Sequence, residues 1–175
     1  MIDLSVIRDL VAIFGVIAGF TYYVLTVRNA QRTRELTLMA QEQAVETRQA
    51  QLFWQLTDKF TSKEGLDYMR VLGEATWSSY EEWLERYQND VEYSKSYSWL
   101  ATIFNSRGVL LREGLLNIRL VALIASGHTI YWWEKHKDVI YSERKRRNDR
   151  RFCSEWEYSY NSLMKYLEEH PELKS

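Results

Sequence analysis

Residues 10–27 form a run of eighteen positions without a formal charge, in which Leu10, Val11, Ile13, Phe14, Val16, Ile17, Phe20, Val24, Leu25 and Val27 are strongly apolar. At about 1.5 Å per residue the run spans roughly 27 Å, close to the roughly 30 Å hydrocarbon core of a bilayer. The apolar side chains contribute about −3 to −6 kcal/mol to insertion, part of which Gly15, Gly19, Thr21 and Thr26 give back. The pattern predicts one transmembrane helix over residues 10–27 rather than a buried core helix. Tyr22 and Tyr23 lie toward its far end, where amphipathic rings prefer the headgroup boundary.

The pattern changes at residue 28. Residues 28–60 contain neither Gly nor Pro and are rich in Ala, Gln, Glu, Leu, Met and Arg, all good helix formers. The membrane helix is therefore predicted to continue unbroken into a stalk over residues 28–50, polar around most of its circumference. Leu38, Val45 and Leu52 recur every seven residues, the period of a coiled coil. The companion seam falls on Gln41, Arg48 and Gln55 or on Glu42, Gln49 and Leu56, mostly polar, so a stable zipper is not expected. Leu52, Phe53, Leu56 and Phe60 mark the passage of this helix into a core.

Residues 51–171, about 120 positions, suit one domain, with residues 172–175 as a tail. Apolar residues there recur at helical rather than strand spacing. Thr61 with Glu64, and Ser78 with Glu81, match the capping box that opens a helix. Tyr80, Trp83, Leu84 and Tyr87 then suggest one helix, and Tyr93, Tyr97, Leu100, Ile103, Phe104 and Leu111 a longer one ended near Gly114. A short helix around residues 118–125 follows. Ile130, Trp133, Lys137 and Ile140, after Gly127, mark another, and Phe152, Trp156, Tyr160, Leu163, Met164 and Leu167 the last, stopped near Pro171. The predicted fold is all-α: a transmembrane helix, a helical stalk, and a compact bundle of about five or six helices.

Charge orients this arrangement. Asp3, Arg8 and Asp9 precede the span, whereas Arg28, Arg32 and Arg34 follow it before the first acid, Glu35. Basic flanks stay on the cytoplasmic side, so residues 1–9 are expected outside and the domain in the cytoplasm. A cleaved signal peptide would need a basic start and a small-x-small cleavage site. The flanks are instead acidic at the start and Thr26-Val27-Arg28 at the end, so the segment is expected to stay attached. Cys153 is the single cysteine, which suits a reducing compartment.

Few residues could carry chemistry. His128 and His136 lie eight apart with Glu134 near them, but zinc sites use tighter pairs with further ligands at set spacing. Cys153 with a distant histidine is not a motif, and no phosphate loop, G-x-S-x-G elbow or HExxH sequence occurs. Glu81, Glu82 and Glu85 read as a solvated helix face. Neither a cofactor nor a metal is called for.

Two surface patterns remain. Gly15 and Gly19, with Ala12 and Ala18 nearby, form a small-xxx-small face that allows two membrane helices to approach closely. Arg144, Lys145, Arg146 and Arg147, followed by Asn148-Asp149 and then Arg150 and Arg151, place six cations within eight positions. The favoured reading is a basic helix C-terminus complementing the macrodipole, with Asn148-Asp149 as the turn into the last helix. Contact with anionic lipid is the second reading. Nucleic acid comes third, because the whole chain carries a net charge of −1 and lacks the broad basic field such binding needs.

Met1-Ile2-Asp3-Leu4, Ala12-Ile13-Phe14-Gly15-Val16, Tyr22-Tyr23, Val27-Arg28-Asn29-Ala30, Arg48-Gln49-Ala50-Gln51-Leu52, Trp133-Glu134-Lys135 and His170-Pro171-Glu172 together resemble a prokaryotic family of single-pass proteins that carries a domain of unknown function. The resemblance covers nearly the full length. It implies an N-terminal anchor and a helical cytoplasmic domain, and it implies no activity and no site residues. Where the family pattern has a proline after the Asn-Asp turn, this chain has Arg150.

Two functional readings follow. The favoured one is a membrane-anchored helical interaction or scaffold protein without catalysis, whose partners are membrane lipid and either another protein or a second copy. The alternative is a small membrane-tethered enzyme or ligand-binding regulator using a pocket between helices, with His128, His136 or Glu134 taking part.

Overall fold

The computed structural model describes residues 4–173, and among them the chain is all-helical, with seven α-helices and one closing 3-10 turn. In order these are α1 (Leu4–Thr61), α2 (Lys63–Glu74), α3 (Tyr80–Asn89), α4 (Val91–Arg112), α5 (Ile118–Ile124), α6 (Ser126–Arg147) and α7 (Ser154–Glu169), followed by the turn Pro171–Leu173. The chain divides into two compact units, Met1–Glu46 and Thr47–Ser175.

The first unit is helix alone. Its most apolar stretch has a mean hydropathy of 2.1, and none of it is buried within the protein. Phe14, Val16 and Phe20 are about 70% exposed (71%, 73% and 68%). The two threonines of the apolar run satisfy their hydroxyls internally: Thr21 Oγ1 donates to the Ile17 carbonyl and Thr26 Oγ1 to that of Tyr22, each at 2.8 Å. A hydroxyl paired in this way needs no partner outside its own helix. One helix is thus long and apolar enough to cross a membrane.

The second unit opens at Thr47, slightly before the boundary expected at residue 51. The reason is local: Gln49 and Ala50 are half-buried, and the Gln49 amide donates to the Gly114 carbonyl at 2.9 Å. α4 is the central helix, packed against α2, α3 and α7, while α6 lies against α3, α5 and α7. Two apolar clusters result. The larger gathers Trp83, Tyr93, Tyr97, Leu100, Phe104, Trp132, Trp133, Ile140 and Trp156, and the smaller gathers Phe53, Leu116, Val121, Ala122, Leu163 and Leu167. α4 and α7 touch so closely at Gly108 that a Cβ there would lie 1.8 Å from the Glu155 carbonyl oxygen.

Both expected helix caps shift by one residue. Ser62 caps α2 by accepting from the Gly65 N–H at 3.0 Å, while Thr61 still belongs to α1 and donates to the Thr57 carbonyl. Ser79 caps α3 by accepting from the Glu82 N–H, and the Glu82 carboxylate accepts from the N–H and hydroxyl of Ser78. Adjacent hydroxyl residues can each serve as a cap, and the one whose backbone leaves the helical region does so. α6 begins at Ser126 without a side-chain cap, so Gly127 lies inside its first turn rather than before it. The turn at Asn148 is formed as expected, with Asn148 in the left-handed region at φ 51°.

Candidate functional site

The last turn of α6 carries the basic run, and beneath it lies a carboxylate. Trp132, His136, Val139 and Glu143 follow one another at spacings of three and four along the buried face of α6, with Ile140 beside them, so the periodicity that buries the tryptophan also buries the acid. The Glu143 side chain is wholly inaccessible to solvent. Arg146 grips it bidentately, Nε to Oε1 at 2.7 Å and Nη2 to Oε2 at 3.0 Å. Arg147 Nε donates to Oε2, and the Tyr80 hydroxyl donates to Oε1 from α3. Burial acts to raise the Glu143 pKa, but the hydrogen bonds from Arg146, Tyr80 and Arg147 outweigh it and hold the carboxyl at about 2. The Tyr80 phenol is pushed up by its burial and by the carboxylate it serves.

The six cations of the run therefore divide. Arg144 is turned inward, Nε donating to the Phe152 carbonyl at 2.8 Å and Nη1 to Glu157 at 2.6 Å. Arg146 and Arg147 are held on Glu143, and Arg147 also covers the Phe152 ring at 4.6 Å. Lys145, Arg150 and Arg151 are exposed, and among the described residues their side chains enter no ion pair. Asp149 is the one acid within the run, and its carboxylate accepts from the Arg151 backbone N–H at 2.8 Å.

The other expected participants do not converge. The His128 ring packs edge-on against Phe60 at 5.4 Å and borders a groove of about 610 Å³ lined by Met69, Arg70, Gly127, His128, Tyr131 and Trp132. His136 is buried among the rings of Trp77, Tyr97, Trp132 and Trp156. Its Nδ1 lies 3.0 Å from the Trp132 carbonyl, which can only accept, so the proton sits on Nδ1 and Nε2 has no partner. Burial pushes this imidazole down to about 4. Glu134 accepts from Lys137 at 2.5 Å and from the Tyr160 hydroxyl at 2.6 Å, and the lysine holds it below the usual carboxylate range. Cys153 is buried in a left-handed backbone position, and burial pushes its thiol up. Gly15 and Gly19 lie on exposed helix surface, with nothing within 4 Å of the place a Cβ would occupy.

A further group had no signal in the pattern of charges. Arg107 of α4 is 3% exposed, donates from Nη1 to Thr129 Oγ1 at 2.8 Å, and stacks on Phe104 at 4.9 Å, with Nε unpartnered. Burial lowers it to about 10. Its position one turn beyond Ile103 and Phe104 on the apolar face of α4 is the one sequence feature that marks it. Comparison with protein-family models, with curated proteins and with solved structures finds no match to this chain.

Proposed function

We propose that this chain is a single-pass membrane protein whose first residues lie outside, whose residues 10–27 cross the bilayer, and whose helical domain is a cytoplasmic interaction module. The observation that carries this reading is the apolar run of α1, of which nothing is buried within the protein, followed at once by Arg28, Arg32 and Arg34. Apolar side chains that find no cover in the protein itself need cover from lipid or from another chain.

An interaction role is supported by the separation of His128, His136, Glu134 and Cys153 into different surroundings, and by large side chains left outside the core of the second unit. Trp54 and Leu66 are each more than half exposed, at 54% and 53%. The partner is another protein or a second copy, with close packing through Gly15 and Gly19 as the route to the latter. The groove beside His128 and Arg70 favours a second reading, a regulator that binds a small apolar ligand there.

Two tests apply. Leu4→Cys should react with a membrane-impermeant thiol reagent in intact cells, and Lys165→Cys only after lysis. Differently tagged copies, or one reproducible companion, should be recovered together from detergent-solubilised membranes. Recovery of neither overturns the interaction role.

A further inference from the structure

The basic run holds six of the chain's 23 Lys and Arg residues and one of its 24 acids, so the rest of the protein is acidic overall. Three acids in and beside the run already have partners, and among the described residues Lys145, Arg150 and Arg151 enter no ion pair. Glu143 is buried and occupied by Arg146, Arg147 and Tyr80. Glu157 is occupied by Arg144 and by the Tyr141 hydroxyl at 2.8 Å. Asp149 is engaged with the backbone of Arg151. The left-handed Asn148 closes the helix, with the Asp149 N–H donating to the Arg144 carbonyl at 3.0 Å, and so fixes where Lys145, Arg150 and Arg151 emerge. All seven residues from 145 to 151 are exposed.

We infer that the α6–α7 turn docks through Lys145, Arg150 and Arg151 on anionic lipid headgroups. This rests on the anchored reading of α1. Charge complementarity is the argument. The cytoplasmic leaflet is the negative one, and a cluster of long, flexible cations on one turn suits a planar anionic surface. An extended polyanion such as RNA requires a broad basic face, and an acidic remainder denies it one. Each cation at an anionic surface contributes about a fivefold factor in occupancy, so the three together give roughly a hundredfold. Arg144, Arg146 and Arg147 serve the fold beneath and hold the turn in place.

The test uses the full chain in nanodiscs of phosphatidylcholine alone or of an equal mixture with phosphatidylglycerol, read by hydrogen exchange of backbone amides 145–152. Exchange should be severalfold slower in the anionic discs, and high salt should abolish the difference. The triple variant K145E/R150E/R151E, which leaves the Glu143 cluster intact, should lose the protection, and the exposed control Arg119→Glu should keep it. Equal exchange in both discs, with the chain inserted in both, overturns the lipid contact alone. Slowing that requires added RNA rather than anionic lipid also overturns it. Failure to enter discs of either kind overturns the anchor and this inference with it.

Discussion

Tyr80 and Glu143, 63 positions apart, share a hydrogen bond that ties the first turn of α3 to α6 just before its last turn. The carboxylate that receives it is also the seat of Arg146 and Arg147, so one buried acid joins two helices and half-anchors the basic run. Removing one partner of a buried charged cluster costs more than removing a surface pair. Glu143→Gln should therefore destabilise the domain by about 2–3 kcal/mol and Tyr80→Phe by about 1 kcal/mol. Urea unfolding of the full chain in detergent, followed by tryptophan fluorescence, checks both values.

The same carboxylate gives an acid limit. Its folded pKa, about 2, lies below the ordinary value of 4.5, so its contribution is complete above pH 4.5 and is lost as pH falls from there toward 2. Glu143→Gln should flatten the fall in stability across that window.

His136 acts in an earlier window and through a different cause. Burial holds it neutral down to about pH 4 in the folded protein, against 6.5 when free. The unfolded chain therefore binds the extra proton first, and stability declines as pH drops from 6.5 to 4. His136→Phe should make thermal unfolding less sensitive to pH in that interval, while leaving the lower window of Glu143 in place.

Gly108 sets the closest approach of the two helices that share the most packing, α4 and α7. With Glu155 backbone 1.8 Å from a virtual Cβ, no rotamer change relieves Gly108→Ala, and one helix must move. A loss of about 3 kcal/mol is expected from such overpacking, read as a lowered urea midpoint. Gly15→Ile and Gly19→Ile should leave that midpoint unchanged, since nothing in the protein lies near them. They should weaken self-association in the membrane if the copies meet through that face.

Much of the fold was legible because it is written locally. The uncharged run, the Gly- and Pro-free stalk, the helix periodicities and the Asn148 turn each depend on neighbours a few residues away. The caps at Ser62 and Ser79 were misplaced by one residue because hydroxyls stand side by side and composition cannot choose between them. His128 and His136 looked alike as a pair, yet eight residues turn a helix roughly 80° past two full turns, which already separates a groove from a core. Glu143 was hidden by the cations that follow it, although its spacing from His136 and Ile140 places it on the buried face. Tyr80 was legible as a helix residue, but its pairing with Glu143 was not, since the two are 63 positions apart and no local pattern connects them.

The central claim is that residues 10–27 lie in lipid. The most direct measurement is alkaline carbonate extraction of membranes from cells producing the full-length chain. The expected result is that the protein stays in the membrane pellet, and that placing aspartate at both Phe14 and Ile17 moves it to the supernatant. Full release of the unaltered chain into the supernatant would contradict the claim.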